Sequence, residues 1–259
     1  MLSYQHAYHA GNAADVHKHV LLAAALAHMV RKDKPLTYLE THAGRGLYDL
    51  SSAPARTTGE AAAGVERLLT RLPDGHPWRS VVEVERMRLG PHAYPGSPLI
   101  AARLTRPIDR LDLAELHPQE HAALVEAMPR RPGLRIHRRD GLEMARAIAP
   151  PTPRRGLMLI DPSWEVRADY ARLAGVLPRL NRVWNVGVLM LWYPILADRR
   201  HGPMVRAIRT AIPDALVHEV AFPPARDGHG LRGSGMVVVN PPWGLEEEAA
   251  RLDSIFAGD

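Results

Sequence analysis

The sequence predicts an α/β protein: a parallel sheet with helices on both faces and an antiparallel hairpin at its end. Three observations carry this. Short apolar runs alternate with helical patterns along most of the chain, as crossover connections between parallel strands require. The last two runs, 215-ALVHEVAF-222 and 235-GMVVVN-240, have no helix between them and so form a hairpin more naturally than a crossover. Several of the runs stop at acidic or small residues, at the strand ends where open α/β sheets hold their ligands.

The elements follow in order. Segment 13-AADVHKHVLLAAALAHMVRKDK-34 carries apolar positions at helical spacing, and 36-LTYLETHAGRGLYDL-50 reads as a strand, a small-residue turn and a helix start. Residues 51–96, rich in Ala, Arg, Gly and Pro, interrupt the rhythm. Their helical patterns at 59-GEAAAGVERLLTRL-72 and 78-WRSVVEVERMRLG-90 suggest an inserted helical subdomain. The rhythm then resumes: strands 111–116, 134–140, 157–161 and 186–193 precede helices 118–128, 141–148, 167–177 and 202–212. After the terminal hairpin, 244–256 forms the last helix. The expected division is a core of 1–50 and 97–259 with 51–96 inserted. Five parallel units plus a hairpin is the layout of the Rossmann-like, class I S-adenosylmethionine methyltransferases.

Composition sets outer bounds. A chain of 259 residues with 46% apolar residues holds one large core. It has no cysteine, which excludes disulfides, thiolate metal sites and thiol nucleophiles and fits a reducing compartment. No basic start followed by an apolar stretch marks a signal, and the longest apolar run, 186–197, is broken by Pro194 and too short for a bilayer. A cytoplasmic protein with no membrane contact is the expectation. Net charge is +5, which favours a polyanionic partner, and nearly all the basic residues are Arg.

Strand ends supply the candidate site. The first strand leads into Thr41, His42, Ala43, Gly44, Arg45 and Gly46, small residues that let a ligand approach the backbone. Glu115 follows the second strand and suits ribose hydroxyls. Asp140, before Gly141, follows the third and suits an adenine amine, and Asp161 follows the fourth. Each acid alone is also what a helix cap needs. Together, at successive strand ends, they point to a nucleoside-bearing cofactor.

Two stretches share one further pattern: 156-GLMLIDPSWEV-166 and 235-GMVVVNPPWGL-245. Each is an apolar run followed by Asp or Asn, Pro, Ser or Pro, and Trp. Enzymes that methylate exocyclic amines hold the amine with such a signature. Position decides between the two. Asp161-Pro162-Ser163-Trp164 ends the fourth strand, beside the first at the switch point. Asn240-Pro241-Pro242-Trp243 ends the last strand and reads as a structural stop before a helix. Asp161 and the Pro162 carbonyl are the acceptors for an adenine amine, and Trp164 is expected to stack the base. Ser163 replaces a stiffening proline but supplies neither acceptor.

The blocks 1-MLSYQHAYHAGNAADVHKH-19, 38-YLETHAGRGLY-48, 94-YPGSP-98, 113-LAELHP-118, 139-RDG-141, 158-MLIDPSWE-165, 192-WYP-194 and 234-SGMVVVNPPW-243 closely resemble the bacterial ribosomal RNA large subunit methyltransferase J family, in order and over almost the whole chain. The resemblance implies a Rossmann-like core with an inserted helical subdomain, and S-adenosylmethionine-dependent formation of N6-methyladenosine at one adenine of 23S rRNA. It implies Asp161 as the catalytic acid. It assigns His19, His42, Ser97, Glu115, Asp140 and Gly141 to the cofactor, with Gly44 in the small-residue turn beside them. Tyr4 and Lys18 belong to an N-terminal block that covers the active site near the substrate. Members usually read Asp-Pro-Pro-Tyr or Phe at 161–164 and usually extend further at the C-terminus.

Other readings stand beside this one. A DNA adenine methyltransferase shares the whole constellation, and a non-catalytic RNA-binding relative shares the binding part. His6, His9, His17 and His19 have spacings that suit a metal, but no acid or thiol lies at a regular offset and no metal is expected. Arg56, Arg67, Arg71, Arg79, Arg86 and Arg88 of the insertion are candidate phosphate contacts. A monomer is expected.

Overall fold

The computed structural model describes residues 5–224 and 230–258. The chain opens into α1 (Ala13–Val30), started by Asn12, whose side chain accepts the Asp15 N–H at 2.8 Å. This helix is buried on nearly every side, Val20, Leu21, Leu22 and Leu26 being wholly covered. It stops short of Lys34 because Pro35 disfavours helical backbone in the residue before it.

Strand β1 (Thr37–Glu40) follows, then β2 (Leu47–Asp49). The region predicted to be inserted and helical holds α2 (Ala53–Thr58), α3 (Glu60–Ala63), α4 (Val65–Leu68) and α5 (Pro77–Leu89), and closes with β3 (Ala93–Pro95). β2 and β3 pair as an antiparallel ribbon with Tyr48 opposite Tyr94. The helical pattern at 59–72 is broken rather than continuous. Gly59 takes φ +65°, and at Gly64 the backbone meets the N-terminal segment: the Val65 N–H donates to the Gly11 carbonyl at 2.7 Å. A Cβ on Gly64 would lie 2.0 Å from that carbonyl oxygen.

The remaining elements are α6 (Ser97–Leu104), β4 (Arg110–Ala114), α7 (Pro118–Ala127), β5 (Leu134–His137), α8 (Gly141–Ile148), β6 (Gly156–Ile160), α9 (Ala168–Val183), β7 (Val188–Leu196), α10 (Gly202–Ala211), β8 (Leu216–Ala221), β9 (Leu231–Val239) and α11 (Leu245–Ala257). Among the described residues the main sheet has seven strands in the order β5-β4-β1-β6-β7-β9-β8. β1 pairs in parallel with both β4 and β6. β9 is antiparallel to both β7 and β8, so the predicted closing hairpin is present. This is the Rossmann-like class I arrangement expected from the strand–helix rhythm. Strand order reverses at β1, which places a crevice at the carboxyl ends of β1 and β6.

Two apolar cores flank the sheet. One gathers side chains of α1, α5, α6 and α11 with Val65, Leu68 and Trp78 of the insertion. The other gathers α8, α9 and α10 around Met158, Ile160 and Leu189. No helix among the described residues is long and apolar enough to cross a membrane.

Candidate active site

A cleft of about 660 Å³ opens at the carboxyl ends of the parallel strands, and α1 and the N-terminal segment form one wall. Lys18, His19, His42, Gly44, Ser97, Glu115, Asp140, Gly141, Asp161, Pro162 and Trp164 all line it. Residues far apart in sequence thus meet in one place. Tyr4 lies outside the described residues.

At the centre the Lys18 ammonium donates to Asp161 Oδ2 at 2.6 Å and stands 3.0 Å from Asp15 Oδ1. Burial alone would lower the Lys18 pKa, but Asp15 and then Asp161 outweigh it and the pKa is raised. Burial alone would raise the Asp15 carboxyl; His6 and Lys18 outweigh it and hold Asp15 well below the usual carboxylate range. Asp161 therefore stands on a fixed cation, which engages one of its two oxygens.

The small-residue turn after β1 is held by the next strand end. Glu115 accepts the Gly44 N–H at 2.8 Å and the His117 N–H at 2.7 Å. Gly44 takes φ +61°, which glycine tolerates. Asp140 caps α8 by accepting the Glu143 N–H at 2.8 Å, so the cap role and the cleft position coincide. At Gly141 a Cβ would fall 1.7 Å from the Thr41 carbonyl oxygen, so only glycine lets α8 start this close to β1. Two imidazoles of the wall have different partners. His19 Nδ1 pairs with the Tyr94 hydroxyl at 2.8 Å, and burial takes its pKa down to about 3. His42 pairs with Thr41 at 2.7 Å and is also lowered, chiefly by burial.

Sequence reasoning passed over one residue behind this wall. Glu40, the last residue of β1, is fully buried and accepts from Tyr38 at 2.8 Å and from the Ser97 hydroxyl. Burial pushes its pKa up to about 8, against the pull of those two hydrogen bonds. The signal was present: an acid stands immediately before the turn. Asp15 was missed as well, because its role depends on Lys18 one helical turn later.

The electrostatics of the cleft suit a cation. Among the described residues, Asp15, Glu115, Glu120, Asp140, Asp161, Glu165 and Asp169 line it against two permanent cations, Lys18 and Arg172. A cofactor with a sulfonium, an ammonium, a ribose and an adenine fits this donor set. Glu115 keeps lone pairs beyond its two backbone bonds for ribose hydroxyls, and the Gly44 and Gly141 backbones leave room for close approach.

Residues 33–257 match the family described as ribosomal RNA large subunit methyltransferase D, RlmJ. Two curated relatives agree. The Ribosomal RNA large subunit methyltransferase J of Escherichia coli (strain K12) is 38% identical over 252 residues, covering 96% of this chain and 90% of the relative. That of Haemophilus influenzae is 38% identical over 258 residues, covering 97% and 92%. The chain belongs to the ribosomal RNA large subunit methyltransferase J family. The crystal structure of protein LPL1258 from Legionella pneumophila has the same fold, with a TM-score of 0.86, 32% identity and coverage of 95% of this chain and 92% of that one.

In this family member the second of the two stretches, Asn240-Pro241-Pro242-Trp243, lies at the edge of the sheet away from the cleft. β9 runs against β7, with Val239 opposite Leu189, so Asn240 emerges at the amino ends of the parallel strands. Its amide donates to the Asn185 and Gly187 carbonyls at 3.1 and 2.8 Å, which ties the strand end to the loop before β7. Asn240-Pro241-Pro242-Trp243 is a structural stop.

Two sets of candidate residues make contacts inside the protein. Trp164 borders the cleft with its ring largely covered. Its backbone takes φ +58°, and the indole packs on the Tyr170 ring, 4.5 Å between centroids, with 5% of the residue exposed. Four insertion arginines are also engaged within the protein. Arg71 donates to the Ile255 carbonyl, Arg79 to Glu83 and the Leu72 carbonyl, Arg86 to Glu66 and Arg88 to Glu85. For Arg79 and Arg88 the partner is a glutamate at helical spacing, which an arginine on a helix meets locally.

Proposed function

We propose that this protein methylates the N6 amine of one adenine of 23S rRNA with S-adenosylmethionine. The carrying observation is the Asp161–Pro162 corner, which ends β6 beside the β1 crevice with its carboxylate held by Lys18. In this reading Asp161 accepts one N–H of the amine and the Pro162 carbonyl accepts the other. Those bonds localise a lone pair otherwise delocalised into the purine ring, and they aim it. Lys18 keeps the Asp161 carboxylate placed while the amine enters, and Tyr4 joins it on the substrate side. Trp164 anchors the turn that carries Asp161 and Pro162.

His19, His42, Gly44, Ser97, Glu115, Asp140, Gly141 and Asp161 would hold the cofactor. When bound, S-adenosylmethionine supplies an electrophilic methyl group. Glu115 takes the ribose hydroxyls, Asp140 the purine amine, and the lowered pKa values keep His19 and His42 uncharged beside a cation. The protein is read as a cytoplasmic monomer that acts on free 23S rRNA or on an assembly intermediate.

The test is methyl transfer from labelled S-adenosylmethionine to protein-free 23S rRNA lacking the modification, with digestion to nucleosides. Asp161→Ala and Asn240→Ala run in parallel, and single-stranded and duplex DNA serve as alternative acceptors. N6-methyladenosine from wild type and Asn240→Ala, with a loss of about 10²–10³-fold in Asp161→Ala, is expected. Preferred methylation of DNA would reassign the substrate. Normal cofactor binding with no product on any acceptor would reduce the protein to a binding relative.

A further inference from the structure

A buried polar chain runs from the surface to the cleft, and neither the fold nor the proposed chemistry accounts for it. Trp192 Nε1 donates to Ser234 Oγ at 2.8 Å. Ser234 Oγ meets His17 Nδ1 at 2.7 Å, His17 Nε2 meets His218 Nδ1 at 2.9 Å, and His218 Nε2 meets Asp253 Oδ1 at 3.0 Å. Ser234 and His17 are wholly buried and His218 nearly so, while the Asp253 side chain is 63% exposed.

With both imidazoles neutral, the proton positions follow from the two ends. Asp253 only accepts, so His218 donates to it from Nε2 and presents Nδ1 as an acceptor. His17 then donates from Nε2 and accepts at Nδ1 from the Ser234 hydroxyl. Ser234 in turn accepts from the Trp192 indole, which only donates. Burial, then His218, hold the His17 pKa well below the usual imidazole range. Every donor points the same way, and the inner end of the chain is the Trp192 ring. Buried polar chains fix a side chain's placement when each member is satisfied.

Trp192 occupies an informative place. Ile160 is in register with Leu191, so Asp161, just past the end of β6, stands beside Trp192 of β7. Of the Tyr and Trp rings that line the cleft, Tyr48 and Trp164 are 6% and 5% exposed, and Trp192 is the partly exposed one among the described residues. Lys18 Nζ, bonded to Asp161, stands 5.4 Å from the Trp192 centroid. A nitrogen donor on Asp161 therefore already lies over this ring.

We propose that Trp192 is the aromatic wall on which the target adenine stacks, and that Ser234, His17, His218 and Asp253 act as positioning residues for its ring. This rests on the adenine-N6 reading above.

Two readouts separate the two ideas. The first is quenching of 2-aminopurine riboside monophosphate fluorescence on stacking, which needs no turnover. The second is methyl transfer at graded 23S rRNA concentrations. Trp192→Ala should lose the quench and raise KM for RNA about tenfold or more, with cofactor affinity within about twofold of wild type. Trp192→Phe keeps a ring and should retain most of both. Ser234→Ala should weaken both readouts in the wild-type background and add little in the Trp192→Phe background, where the indole N–H is gone. An unchanged quench and KM in Trp192→Ala, or no quench by wild type, would overturn the wall. Equal losses from Ser234→Ala in both backgrounds would overturn the positioning role. A wild type that quenches but makes no N6-methyladenosine upholds the wall and defeats the reaction.

Discussion

Asp161 and Glu40 are both carboxyl groups at the ends of neighbouring strands, and the protein treats them in opposite ways. Asp161 has a buried ammonium at 2.6 Å; Glu40 has two hydroxyl donors and no cation at hydrogen-bond distance. The pKa of Glu40, pushed up to about 8 mainly by burial, has a consequence for stability. Between the ordinary glutamate pKa and about 8, the folded state keeps a proton that the unfolded state has lost. Stability therefore falls as pH rises through this window and levels off above it. Glu40→Gln should remove that slope and gain on the order of a few kcal/mol over wild type at the alkaline end. Urea unfolding at pH values across the window checks this, and parallel slopes in the two proteins would refute it. Lys18→Met should leave the partly buried Asp161 without its cation. Methyl transfer should then fall about tenfold or more while cofactor affinity changes little, as single-turnover and equilibrium binding measurements would show.

At the scale of elements, residues 51–96 are fixed to the N-terminal segment by backbone and by side chains. Asn12 donates to Glu60 at 2.9 Å and His9 pairs with the same carboxylate at 2.9 Å, next to the Gly11–Val65 backbone bond. His6, His9 and Asn12 line the cleft, so α3 and α4 hold one wall of the site from behind. Gly64→Ala puts a methyl group into a carbonyl oxygen and should cost about 3 kcal/mol or more, with loss of activity. Gly59→Ala meets open space and suffers only from its positive φ, about 1 kcal/mol. Thermal melts of the two variants rank them, and equal effects would deny the backbone contact its role. These contacts also show what a sequence hides. The strand–helix rhythm, the closing hairpin and the acids Glu115, Asp140 and Asp161 were legible because each is written locally, as an apolar run and its last residue. The break at Gly64 was not, since its cause is Gly11 on another element. The packing of Trp164 on Tyr170 was not legible, because a motif specifies residue types and not the sign of φ. The link from His17 to His218 spans 201 positions, and no local pattern encodes it.

The whole chain carries a net charge of +5, yet among the described residues the cleft is lined by seven carboxylates and two permanent cations. The basic charge available to a polyanion therefore lies mainly outside that lining. RNA binding should weaken steeply with salt, by about tenfold or more between about 50 and about 200 mM, while cofactor binding changes by less than about twofold. Filter binding and calorimetry over that range decide it; a flat response for RNA would remove the electrostatic partner.

The acidic lining has a further consequence for how a polynucleotide meets this enzyme. A phosphodiester pushed toward Asp161 moves up a potential gradient, whereas an uncharged purine does not. The pocket thus sorts the two halves of a nucleotide, keeping the backbone at the rim and letting the base alone go in. On the adenine reading proposed above, the target base has to leave its helix before it can be read, so an adenine held in a stable pair is passed over however well its neighbours match.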